Sequence, residues 1–116
     1  AGSQQAPANA AVTAVAAAWM RRTRWQVVPA FACAAQPTVP DALATLQASG
    51  TRRIAVASWF LAPGLLPDKV NRLAAVANSQ VLLAAPLGVD DAVAELIADR
   101  YDDASGPQRT SIPRPA

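Results

Sequence analysis

The chain has 116 residues, 53% hydrophobic but 5% aromatic, and ten Lys and Arg against eight Asp and Glu leave a net charge of +2. This length supports one domain with a single core. The basic residues fall in scattered pairs, Arg21-Arg22 and Arg52-Arg53, rather than in a stripe interleaved with aromatics, which argues against a nucleic-acid partner.

One cysteine, Cys33, excludes an internal disulfide and fits a reducing compartment. No uninterrupted apolar run reaches the roughly 18 residues of a membrane span, and no basic stretch leads into an apolar one at the start. A cytoplasmic location without membrane contact is therefore expected.

In chain order, residues 1–5 are small and polar. Val12, Val15, Ala16, Trp19 and Met20 then recur at helical spacing, with Arg21, Arg22 and Arg24 suited to the negative end of that helix. Residues 25–33 are short and apolar and read as a buried strand, with Pro29 as its weak point. Cys33, at the end of this strand, reads as a small buried side chain rather than a nucleophile. Thr38, Pro40 and Asp41 form a helix start with a capping partner. Val39, Leu43 and Leu46 face inward, and Gly50 ends the helix.

A second strand over residues 54–59 runs into the turn Pro63-Gly64, and Pro67-Asp68 begin a helix with Val70, Leu73 and Ala77 on its inner face. Residues 81–87 make a third buried strand, and Asp90-Asp91 open a last helix with Val93, Leu96 and Ile97 inside. The two aspartates read as helix-capping groups rather than metal ligands. From Ser105 the chain has three prolines and no period, as in a disordered tail, so the domain is expected over residues 1–104 and the tail over 105–116.

The resulting class is α/β, a three-layer αβα arrangement around a parallel sheet. A helix comes first, so Ala1-Gly2-Ser3 reads as a strand-to-helix loop whose strand is missing, as in a fragment beginning just after a strand. Such a chain would expose apolar surface and dimerise or dissolve poorly. Ligand sites in this class lie beyond the strand ends. Ser3, Ser58 and Trp59 are candidates there, with turn and cap hydrogen bonding as the alternative for the serines and core packing for Trp19.

Three pieces carry a resemblance to a known family: Gly2-Ser3 followed by Pro7-Ala8-Asn9, the turn Phe60-Leu61-Ala62-Pro63-Gly64, and Pro86-Leu87-Gly88. Over residues 1–104 the chain resembles one half of a sirohydrochlorin chelatase, which matches them with His-Gly-Ser-Arg, Phe-Leu-x-x-Gly and Pro-Leu-Gly. The resemblance implies a chelatase-like (flavodoxin-like) fold of duplicated halves and a tetrapyrrole in a cleft. It implies Co²⁺ or Fe²⁺ as substrate, with no resident cofactor in this chain. The implied substrate-binding residues are Gly2, Ser3, Ser58, Trp59, Phe60 and Gly64.

The family's metal-holding histidines fall on Ala1 and Leu66, and the chain has no histidine. Neutral imidazole can hold a borderline divalent ion and accept protons near neutral pH; alanine and leucine can do neither. The resemblance therefore implies a degenerate C-terminal half, inactive alone, whose partner is a histidine-bearing half or a second copy. The alternative is a purely structural half that closes a catalytic cleft. A flavin-binding or phosphoryl-receiving domain is disfavoured, because no strand ends in the acidic pair that Mg²⁺ requires.

Overall fold

The computed structural model describes residues 1–106. The chain divides into two compact units, Ala1–Pro86 and Leu87–Ala116. In the first, α1 (Ala6–Thr23) is followed by α2 (Val39–Ala48), β1 (Ala55–Val56), α3 (Leu65–Ala77) and β2 (Leu82–Leu83); in the second lies α4 (Asp91–Ser105). β1 and β2 pair in parallel, Ala55 beside Leu82 and Val56 beside Leu83, with α3 as the crossover. The protein is thus α/β, with a small parallel sheet.

Local chemistry explains the helix starts. At α2, the Thr38 hydroxyl accepts the Asp41 N–H at 3.4 Å while the Asp41 carboxylate accepts the Thr38 N–H at 3.2 Å and its hydroxyl at 2.6 Å. This reciprocal cap satisfies two helix-end donors, as the sequence predicts. At α4, the Asp90 carboxylate accepts the Ala92 N–H at 2.9 Å. α3 starts at Leu65, two residues before the predicted Pro67, so Pro67 sits within its first turn, where a missing N–H costs nothing.

The core of the first unit gathers Val39 and Leu43 of α2, Ile54 just before β1 and Ala74 of α3. Burying a Val, Leu or Ile side chain contributes on the order of 1.5–3 kcal/mol. Among the described residues the only other large buried apolar side chain is Phe31; the rest are alanines and Pro67. The inner face of α3 centres on Ala74, and Ala77 is exposed.

Several expectations are corrected. Residues 25–33 form no ladder and contribute a single bridge, Phe31 to Thr38. The strands at 54–59 and 81–87 shrink to two residues each. A strand needs a neighbour to satisfy its backbone, and residues 25–30 have none alongside. Cys33 is exposed instead of closing a buried strand. On α1 only Ala16 is buried, while Val15, Trp19 and Met20 are exposed. Trp19 therefore does not sit in the core; its ring tilts against Trp25 at 6.2 Å. Leu96 and Ile97 of α4, expected inside, are 52% and 61% exposed. Ser105 closes α4, and the remainder of the expected tail, residues 107–116, lies outside the described residues. No helix among the described residues is long and apolar enough to cross a membrane.

Candidate functional site

Three segments meet around the opening of the chain. The Ala1 carbonyl accepts the N–H of Ala32 at 2.7 Å and of Cys33 at 3.1 Å. Gly2 adopts φ +124°, and a side chain there would collide with the Cys33 carbonyl. Ser3 is clamped by Asn9 of α1: its N–H donates to Asn9 Oδ1 at 3.0 Å, and Asn9 Nδ2 donates to its carbonyl at 2.7 Å. The Ser3 hydroxyl accepts the Gln5 N–H at 3.0 Å, the turn role weighed against ligand binding. Position 9 thus fixes the opening loop on the first helix, a part that sequence spacing alone did not assign to it.

Beyond β1, Ser58 Oγ accepts the Phe60 N–H at 3.4 Å. Trp59 is 60% exposed, and Gly64 stands at the N-cap of α3, its carbonyl accepting the Asp68 N–H at 3.0 Å. Lys69, which the sequence did not single out, reaches from α3 to the Ala32 carbonyl at 3.1 Å and ties the segment after residue 30 to the helix that follows the turn. Its only sequence signal is a cation in the first turns of a helix that opens directly after the Pro63-Gly64 turn.

A cavity of about 730 Å³ brings part of this set together: Ala1, Ser58, Trp59 and Phe60 line it, along with apolar residues of α1, α2 and α3. Gly2, Ser3 and Gly64 lie outside its lining. The wall is mostly hydrocarbon, and its polar groups are few: Gln26, Thr51, Arg53 and Asn71 beside Ser58. Among the described residues no three His, Cys, Asp or Glu side chains cluster in a way that could hold a metal ion. Leu66, where the resemblance places a metal ligand, sits exposed in the first turn of α3.

A perturbed titration lies at the start of α2. The Thr38 hydroxyl, and then its backbone N–H, hold the Asp41 carboxyl below its ordinary value of 3.8.

The profile of the CbiX family, the sirohydrochlorin chelatases, matches residues 1–104. The chain belongs to the CbiX family. This membership supports a chelatase-like role in inserting metal into tetrapyrroles and agrees with the three motifs above. No curated protein and no solved structure matches the chain. The two positions on which the resemblance places histidines are a main-chain tether, Ala1, and an exposed aliphatic, Leu66.

Proposed function

We propose that this CbiX chain is a non-inserting half of a sirohydrochlorin chelatase of cobalamin or sirohaem biosynthesis. It supplies one wall of a tetrapyrrole cleft, while a histidine-bearing half handles Co²⁺ or Fe²⁺ and the pyrrole protons. The observation that carries this reading is that the given sequence holds no histidine, where the resemblance calls for two, at Ala1 and Leu66.

Metal insertion needs a group that releases a divalent ion to the macrocycle and a base that removes its N–H protons. Ser3 and Ser58 carry hydroxyls that already accept backbone hydrogen bonds, and neither is a base near neutral pH. What this half can offer is surface: Trp59 presents an exposed ring for stacking on a flat macrocycle.

The test is a titration of the chain with sirohydrochlorin followed by the tetrapyrrole's visible absorption, repeated with a histidine-bearing CbiX half present. Binding by the chain, with metal insertion only when the second half is added, supports the proposal. Insertion by the chain alone refutes it. Absence of tetrapyrrole binding in both mixtures favours the purely structural half.

A further inference from the structure

Two arginine groups stand apart in the sequence, Arg21, Arg22 and Arg24 at the end of α1 and Arg52 and Arg53 ahead of β1, and the fold joins them. Gln26 Oε1 accepts the hydroxyls of Ser49 at 2.8 Å and Thr51 at 3.0 Å, which sets residues 49–53 beside residues 24–26. Half of the ten basic residues thus share one patch, and all five are exposed. The patch lies at the start of β1, whereas the turn of the candidate site follows the end of that strand.

No carboxylate nearby balances this charge. Residues 1–67 hold a single acidic residue, Asp41. Its carboxylate is bound to Thr38 at the opposite end of α2, roughly 15 Å away at about 1.5 Å per helical residue. Among the described residues none of the five arginines pairs with a carboxylate. The helix dipole accounts for Arg21 and Arg22, in the last turn of α1, but that effect ends with the turn, and Arg52 and Arg53 lie beyond both helices.

Apolar surface adjoins the cations. Val15, Ala18, Trp19 and Arg22, on one stripe of α1, line an open depression of about 510 Å³ together with Thr23. Trp25, whose ring meets Trp19 at 6.2 Å, is 64% exposed, and Met20 is 41% exposed.

We propose that this face binds an acidic polypeptide segment of another protein, with an apolar side chain of the segment in the α1 depression and its carboxylates on the arginines. Guanidinium forks meet carboxylates two hydrogen bonds at a time, and arginine, tryptophan and methionine are the residues that protein interfaces concentrate. The apolar depression beside the cations selects such a segment over a bare polyanion, which would leave the depression empty. The inference uses neither the metal nor the tetrapyrrole and stands apart from the reading of this chain as a non-inserting half.

The test is fluorescence anisotropy of two dye-labelled synthetic peptides of equal length and charge, one alternating glutamate with leucine and the other glutamate with serine, added to the full chain at low salt. The leucine peptide is expected to bind about tenfold or more tighter, and added salt to weaken both. Arg24→Gln and Arg52→Gln are each expected to weaken it by about threefold or more, because each removes a charged hydrogen-bonding partner, while Arg72→Gln, on α3, leaves it unchanged. All three arginines are exposed, so the variants are expected to keep the parent's urea midpoint. Equal affinity for the two peptides, no binding of either, or equal effects of all three substitutions overturns the proposal. So does tighter binding, at the same salt, of single-stranded oligothymidylate or of phosphatidylglycerol vesicles than of the leucine peptide, because the face then reads phosphate.

Discussion

Gly2 lies so close to the carbonyl of Cys33 that no side chain fits between them, and it adopts φ +124°. Packing and backbone conformation thus both require glycine at this point of the opening loop. Gly2→Ala is expected to lower stability by about 1–3 kcal/mol in urea denaturation. Gly50, at φ +84° with open space around it, separates the two causes. Gly50→Ala carries only the conformational cost, about 1–2 kcal/mol, and is expected to be the milder change.

The cap of α2 gives a pH signature. Asp41 has its pKa lowered by the Thr38 hydroxyl and N–H, so its contribution is fully present above 3.8, the ordinary value, and is lost as pH falls through the lower folded value. An NMR titration of the Asp41 carboxyl is expected to shift upward, toward 3.8, in Thr38→Ala. The same substitution is expected to cost about 1 kcal/mol near neutral pH, because an N-cap acceptor is removed. An unchanged titration would mean that the cap does not form in solution.

Leu43 is 3% exposed within the core cluster, whereas Val76 on α3 is 88% exposed. Leu43→Ala is expected to cost about 2–5 kcal/mol, toward the lower end because Leu43 also borders the cavity, where neighbours have room to relax. Val76→Ala is expected to stay within about 0.5 kcal/mol of the parent. Thermal or urea unfolding of both variants checks the contrast.

Trp59 is mostly exposed and borders the cavity, so its ring holds little of the core together. Trp59→Ala is expected to leave the unfolding midpoint nearly unchanged while weakening sirohydrochlorin binding severalfold, read from visible absorption. Trp19→Ala is the comparison: it breaks the tilted contact with Trp25 without touching the turn beyond β1 and is expected to leave tetrapyrrole binding as it was.

The sequence carried the helices well, because their signals are local. Thr38 and Asp41 announce α2, and Asp90 announces α4, each through a hydrogen bond spanning two or three residues. Strand content was overread because apolar runs such as 25–33 record a demand for burial, not the presence of a neighbour to bond with. The same cause exposed Val15 and Trp19: the helix face is apolar, but it borders the cavity instead of a packed sheet. Of the candidate site, the turn at 60–64 and the opening loop were readable as motifs. The Ala1 carbonyl's bonds to Ala32 and Cys33, and the reach of Lys69 to Ala32, were not, since they join residues more than thirty apart.

The most direct measurement of the central proposal, a CbiX chain without metal-inserting groups, is the rate of Co²⁺ insertion into sirohydrochlorin with the chain alone, against a protein-free control at the same pH. The expected result is a rate equal to the control even when the tetrapyrrole is bound. A rate above the control that saturates with sirohydrochlorin and vanishes when the chain is unfolded would contradict it, and would show that this half inserts metal without histidine.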